Sequence, residues 1–273
     1  MIVYGIASTV LTLAACLLSI FALILPTWSS TVNLSFTGGS IVLKTPFAAG
    51  AWGFCTNVEM DTSNGFYKGH CALYQSHEVE LSDKSLITME PTGICALSTS
   101  SVTYTNLRQS SNLTEFDKFV NDTCGSNAWT TLAFIQVIIA LTVLGFFAMV
   151  VAMALSCVPG RRFLQAHATL AHLTVTLLAI FLSIIVMCTW AAQAPSHVSY
   201  GASYHYLCVA FVFCMVSAAL TFKYRLEVLR SFDFNRVPQP NRTSVSAVKD
   251  DDLFGTSQTP YKEDDEPKTT TVV

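Results

Sequence analysis

The sequence is short of charge. Only 12% of its 273 residues are Asp, Glu, Lys or Arg, about half the share of an ordinary soluble domain. The deficit is concentrated, because residues 1–43, 123–160 and 163–222 contain none at all. A soluble protein carries charge on every face, so this distribution excludes a soluble enzyme and a nucleic-acid binder. The net charge of −3 offers nothing to a polyanionic partner. The chain also lacks a nucleophile–base arrangement, a phosphate-binding loop and a metal-ligand motif, so it reads as a non-enzyme without a cofactor. No carboxylate, Lys or Arg falls inside an apolar segment, which argues against a pump, a proton-coupled transporter or an intramembrane protease.

What the chain has instead is length without charge. Residues 5–25, 131–155, 171–190 and 204–222 are each long enough to cross a bilayer core, which needs about 20 apolar residues in a helix. Continuous rather than alternating apolar runs predict helices, which satisfy their own backbone in lipid. The first run has no Lys or Arg before it and is too long for a cleaved leader, so it reads as a span. Arg161 and Arg162 follow the second run, and Lys223, Arg225, Arg230 and Arg236 follow the fourth. Excess Lys and Arg mark the cytoplasmic side. The expectation is a multi-pass plasma-membrane protein with both termini cytoplasmic, divided into 1–27 (first helix), 28–128 (large external loop), 129–222 (helices two to four) and 223–273 (cytoplasmic tail). Residues 191–203 then form a short second external loop.

Four of the nine cysteines, Cys55, Cys71, Cys95 and Cys124, fall in the large loop, where disulfides persist. Four cysteines allow three pairings, which sequence alone does not separate. Neighbouring pairs, Cys55–Cys71 and Cys95–Cys124, are preferred because each closes a modest loop. Val32, Leu34 and Phe36 alternate, Gly38-Gly39 reads as a turn, and Ile41 and Leu43 alternate again, which predicts a β-hairpin. Further strands are expected over 52–58 and 67–74. Leu113, Phe116, Phe119 and Val120 repeat at helical spacing, predicting a short amphipathic helix with Asn112 as N-cap. Sequons at Asn33, Asn112 and Asn121 are candidate N-glycosylation sites. The loop's nine acidic residues outnumber its five basic ones and read as a solvated surface.

With these features placed, the chain resembles the claudin superfamily. Trp28 at the outer end of the first span, then Gly50-Ala51-Trp52-Gly53-Phe54-Cys55 and Cys71, look like that family's W…GLW-x-x-C…C signature. The superfamily includes claudins, peripheral myelin protein relatives, calcium-channel gamma and AMPA-receptor regulatory subunits, and fungal cortical relatives. The resemblance implies a membrane all-α four-helix bundle with a small disulfide-stapled extracellular β-sheet. Trp28 and Trp52 would anchor the sheet, with Gly50 part of the same motif, and Cys55–Cys71 would staple it. Ala51 stands where the family usually has leucine, and the gap between Cys55 and Cys71 is wide. Cys95 and Cys124 are additional, and Ser126-Asn127-Ala128-Trp129 replaces the usual basic residue. The extra cysteines and the longer loop look more like the channel-subunit or fungal branches than a vertebrate claudin.

The implied partners are the lipid bilayer, further copies or related four-span proteins, and an ion channel. The implied roles are cell–cell contact or membrane-domain organisation, auxiliary regulation of a channel or receptor, or a fungal or protist cortical role in organising the membrane or sensing the exterior. Small residues four apart, Ala15 with Ser19 and Ala148 with Ala152, suit close helix contact. Cys157 beside Arg161 and Arg162 is a candidate for S-palmitoylation. The six histidines share no ligand spacing and read mostly as interfacial. Residues 223–236 suggest a helical extension, and the polar, acidic tail beyond Pro238 lacks the apolar content to fold. It ends in Thr271-Val272-Val273, a class I PDZ ligand in which Thr271 donates a hydrogen bond and Val273 fills a pocket.

Overall fold

The computed structural model describes residues 2–37, 40–61, 66–75, 87–158 and 161–234. In chain order the elements are α1 (Ile2–Ile24), β1 (Ser29–Thr37), β2 (Ser40–Ala49), β3 (Gly53–Asp61), β4 (Phe66–Leu73), β5 (Ile87–Met89), a single 3-10 turn (Ile94–Ala96), α2 (Val102–Ser111), α3 (Phe116–Cys124), α4 (Ser126–Ser156), α5 (Arg162–Gln193), β6 (Ser199–Tyr200) and α6 (Ala202–Phe234). Four helices are long and apolar enough to cross a membrane. They are α1, Trp129–Ser156 of α4, α5, and Ala202–Arg230 of α6, with mean hydropathies of 2.3, 2.7, 2.4 and 1.9. Even α1, with 23 residues, reaches about 35 Å at 1.5 Å per residue.

The long helices pack in a ring, α1 and α5 each lying against both α4 and α6. On α1 the inward residues are small: Gly5, Ser8, Thr12, Ala15, Ser19 and Ala22 are buried. The large side chains Val10, Leu13, Leu17 and Phe21 point outward. This inverts the pattern of a water-soluble helix, and small inward residues let backbones approach closely. Ala15 and Ser19 therefore sit at a helix contact, as does Ala152, while Ala148 is half-buried. Inward hydroxyls bond back to their own helix, Thr12 Oγ1 to Ser8 O at 2.8 Å and Ser19 Oγ to Ala15 O at 2.9 Å.

Two helices outrun their apolar segments furthest. The fifth starts nine residues before residue 171, and the sixth ends twelve after residue 222. The expected extension over 223–236 is thus helical to Phe234. Interfacial placement fails for one histidine. His172 is fully buried within the ring, whereas His70, His167, His197 and His205 are exposed; His77 lies outside the described residues. The imidazole escapes the interface because helices on three sides supply it with hydrogen-bond partners.

The sheet has the order β5-β4-β3-β2-β1-β6. It is antiparallel except for the β4–β5 pair. The expected hairpin exists as β1 and β2, paired from Ser29↔Ala49 to Thr37↔Ser40; Gly38-Gly39 lies outside the described residues. The expected strands over 52–58 and 67–74 are β3 and β4. Two edge strands carry no sequence signal, since three and two residues are too few to show a period. One of them, β6, comes from the connection between α5 and α6.

One face of the sheet is covered by α2 and α3. Phe47 and Phe54 meet Phe119 edge-on at 5.3 and 6.1 Å between ring centroids, and Phe116 meets Phe54 at 5.7 Å and Tyr104 at 5.6 Å. Here the predicted helix start is corrected. The helix carrying Phe116 and Phe119 begins at Phe116, and Asn112 instead closes α2 with φ of 52°, a left-handed conformation that Asn tolerates. The hydroxyl that caps a helix here is Ser101 Oγ, which accepts from Tyr104 N at 3.2 Å.

Candidate functional site

The candidate site is where the sheet meets the helix ends, and it starts from a proline. In a continuing helix the N–H of residue 26 would donate to the carbonyl of Ala22, but Pro26 has none. The indole of Trp28 takes that place, its Nε1 donating to Ala22 O at 2.6 Å. Two residues on, the carbonyl of Ile24 loses its helical donor because Trp28 N is committed to Ala49 O at 2.7 Å. Trp52 Nε1 donates to Ile24 O instead, at 2.9 Å. Leu25 O accepts from Ser203 Oγ at 3.0 Å. Carbonyls at the end of a helix need such outside donors, and here they come from the first loop, the β2–β3 turn and the start of α6. The two signature tryptophans are thus caps on α1.

Trp28 is fully buried. Its ring lies 5.2 Å from that of Trp190 and 6.2 Å from that of Tyr204. Trp190 Nε1 in turn donates to Ser29 Oγ at 3.1 Å. One aromatic cluster therefore ties α1, β1, α5 and α6 together at the sheet end of the ring. Burial of these rings is worth more than their hydrogen bonds alone.

The turn Gly50-Ala51-Trp52-Gly53 delivers Trp52 to the helix end. Gly50 N donates to Gly53 O at 2.8 Å, and Tyr74 OH donates to Gly50 O at 3.1 Å. A Cβ on Gly50 would lie 2.7 Å from Pro26 Cα, and one on Gly53 would overlap Ala72 O. Both positions need glycine for room. Ala51 is buried at the same corner. Burial pushes the Tyr74 phenol well above its ordinary range, so it stays a donor.

Beyond the turn, Cys55 and Cys71 stand directly opposite each other on β3 and β4 and form one disulfide, with Cα atoms 3.9 Å apart. Cys95 and Cys124 form the other, with Cα atoms 5.3 Å apart. Of the three possible pairings, these are the neighbouring ones. The second disulfide ties the 3-10 turn after β5 to the end of α3, directly before α4. It holds the helical cover on the sheet.

The second connection completes the site. In β6, Ser199 and Tyr200 pair with Ser30 and Ser29 at the edge of β1. Gly201 N donates to Trp28 O at 2.9 Å and Ser203 N to Thr27 O at 3.1 Å, and a Cβ on Gly201 would overlap Thr27 O. At the far end of this connection, Ser196 Oγ donates to Glu115 at 2.6 Å. That bond, and secondarily Lys118, holds the Glu115 carboxyl below its ordinary value. Tyr104 OH donates to Asp117 at 2.9 Å. Burial first and this bond second raise the phenol to about 12.

The remaining sequence-predicted residues are scattered. Asn112 and Asn121 are exposed on α2's end and on α3, and Asn33 falls in β1. Cys157 is exposed at the opposite end of the long helices, just past α4. Thr271 and Val273 lie outside the described residues. Sequence reading missed Ser203, Gly201 and Trp190, although a tryptophan and a glycine flanking the short connection were its available signals. It also missed α2, whose apolar positions Tyr104 and Leu107 are too few to mark a face.

The chain matches no protein-family model and no curated protein. Its reading therefore rests on the geometry above.

Proposed function

We propose that this is a claudin-like integral plasma-membrane protein of cell–cell contact or membrane-domain organisation. The four long apolar helices form its membrane bundle, both termini are cytoplasmic, and the sheet is external. It acts by lateral and trans self-association, not by catalysis. One observation carries this reading: the residues of the W…G-x-W-x-x-C…C signature converge on one structural task. Trp28 and Trp52 cap α1, Gly50 makes room for Pro26, and Cys55–Cys71 pins the adjoining strands. A sheet fastened in this way is a rigid platform at the membrane surface, so contacts made by it are passed to the bundle without a flexible linker. Rigid presentation lowers the ordering cost of association.

The tail fits a tether. Thr271 and Val273 suit strand addition to a PDZ scaffold, with the carboxylate captured at the end of the groove. Asn33, Asn112 and Asn121 are acceptors for N-glycans in this topology, and Cys157, beside Arg161 and Arg162, is the S-palmitoylation site.

The test is a mixed-cell contact assay. Two cell populations express the full chain with different internal fluorescent tags that leave Val273 free. Enrichment where two expressing cells touch, but not where one meets a bare cell, is the expected result. An even surface signal would refute trans self-association.

A second reading has its own observation. The Cys95–Cys124 disulfide holds α2 and α3 over one face of the sheet, which leaves that face closed to a second copy. A sheet so covered suits an auxiliary subunit that meets a channel or receptor laterally. Co-purification of a channel without enrichment at contacts would select this reading.

A further inference from the structure

Deep in the ring of long helices lies a polar cluster that the sheet-based reading does not use. His172 is completely buried on α5. Its Nδ1 is 2.8 Å from Gly145 O on α4. A carbonyl only accepts, so Nδ1 carries a proton in every state of the ring. Its Nε2 faces Ser8 Oγ of α1 at 3.3 Å and Ser217 Oγ of α6 at 3.4 Å. Gly145 is small for this purpose, since a Cβ there would sit 3.3 Å from His172 Nδ1 and 3.2 Å from Val175 Cγ2.

The hydroxyls form a chain. Thr221 to Ser8 is 2.7 Å, Ser8 to Ser217 is 2.8 Å, Ser217 to Thr12 is 2.8 Å, and Thr12 donates to Ser8 O at 2.8 Å. Four hydroxyls supply four hydrogens, and these four short contacts use them all. When the imidazole is neutral, Nε2 is a bare acceptor. One hydroxyl must then turn from a short contact to a longer one to reach it. When Nε2 is protonated, it brings its own hydrogen to Ser8 or Ser217 and the four short contacts keep theirs, but a charge is now buried.

Among the described residues no carboxylate is paired with His172. Neither α1 nor α4 has an Asp, Glu, Lys or Arg. On α5 the only such residue is Arg162, ten positions before His172, and α6 carries Lys223, Arg225, Glu227, Arg230 and Asp233, all beyond Thr221 toward its end. The other titratable groups on the packed helices are Tyr4 and Cys16 of α1, Cys157 just past α4, His167 and Cys188 of α5, and Tyr204, His205, Tyr206, Cys208, Cys214 and Tyr224 of α6. No hydrogen bond joins any of them to His172 among the described residues. Tyr224, one turn beyond Thr221, accepts from Gln165 Nε2 at 2.7 Å, and both residues are buried.

We infer that His172, with Ser8, Thr12, Ser217, Thr221 and Gly145 O, is an acid-sensitive lock on the helix ring. Uncharged, it holds α1, α4, α5 and α6 together through one connected network. Taking a proton from water at Nε2 places an unpaired cation between the helices, and the seam between α1 and α6 opens to hydrate it. An ionisable group buried between apolar helices is costly to charge without a partner. This device is independent of what the sheet binds.

The experiment uses the purified full chain in lipid nanodiscs with ring-15N histidine. At pH 7.5 the His172 ring, assigned by its loss in His172→Gln, is expected to show a protonated Nδ1 and an unprotonated Nε2. Between pH 7.5 and 5.0 its Nε2 is expected to gain a proton. Over the same range the thermal midpoint of the wild-type chain should fall by about 2–4 °C more than that of His172→Gln, whose amide still donates to Gly145 O. Parallel midpoints, or a ring that remains neutral at pH 5.0, would overturn the proposal. A second measurement needs no variant. Hydrogen exchange of the α1 amides, corrected for intrinsic pH dependence, should quicken at least about tenfold at pH 5.0. An unchanged corrected rate would overturn the proposal as well.

Discussion

Trp28 Nε1 donates to the carbonyl of Ala22 at 2.6 Å, replacing the N–H that Pro26 cannot provide. The pair accounts for why a proline can end α1 inside a packed core without leaving a buried acceptor empty. It also ties the first strand of the sheet to the helix it follows. Trp28→Phe keeps the ring but removes the donor, so it should cost about 1–3 kcal/mol. Trp28→Ala also empties the space beside Trp190 and Tyr204, and should cost about 3–5 kcal/mol. Thermal unfolding of the purified chain measures both, and equal losses would show that packing of the ring contributes nothing beyond the hydrogen bond.

Room for backbone is a separate requirement. Gly53→Ala drives a methyl into Ala72 O, and Gly201→Ala drives one into Thr27 O. Backbone atoms cannot step aside as a flexible side chain can. The first substitution should disturb the β3–β4 pairing and lower the yield of the Cys55–Cys71 disulfide. The second should detach β6 while leaving both disulfides in place. Peptide mapping under non-reducing conditions, with limited proteolysis of the α5–α6 connection, separates the two outcomes.

The two disulfides close loops of different length, with sequence separations of 16 and 29. Removing either pair by serine substitution should cost about 2–5 kcal/mol. By loop-closure entropy alone the Cys95–Cys124 pair should be worth about 0.5 kcal/mol more. Chemical unfolding of Cys55→Ser/Cys71→Ser against Cys95→Ser/Cys124→Ser measures the difference. A larger loss for the 55–71 pair would mean that its central place in the sheet outweighs loop length.

Glu115 carries a pH dependence whose sign is set by its depressed carboxyl. Because the folded form holds the proton less tightly than the unfolded chain, the stabilisation is present above the ordinary value of 4.5 and disappears as pH falls through the folded value. Protonation weakens the hydrogen bond from Ser196, which fastens the α5–α6 connection to the start of α3. Amide chemical shifts around Ser196 should move in acid with the titration of Glu115. They should be indifferent to pH in Glu115→Gln.

The long helices were legible because lipid-like composition is a property of segments, read without knowing what each segment meets. The β1–β2 hairpin and the strands β3 and β4 were legible for a similar reason, since alternation is local. Asn112 shows where local reading fails. Its residue type suits either end of a helix, and only the placement of Ser101 and Tyr104 decided that it closes one helix instead of opening the next. The edge strand β6 is invisible in sequence, because Ser199 and Tyr200 are extended only by pairing with Ser30 and Ser29.

Sequence by itself determined the four apolar helices, the loop rich in strands and cysteines, and the residues of the tryptophan–cysteine signature. Each follows from composition or short-range spacing, and both depend only on neighbours along the chain. Tertiary structure alone decided that the indoles of Trp28 and Trp52 reach Ala22 O and Ile24 O, that Ser203 from the last helix completes the same cap, and that His172 lies among hydroxyls of two other helices. Within that cap the partners are separated by up to 178 residues along the chain. A hydrogen bond across such a separation exists only once packing has brought its two ends together.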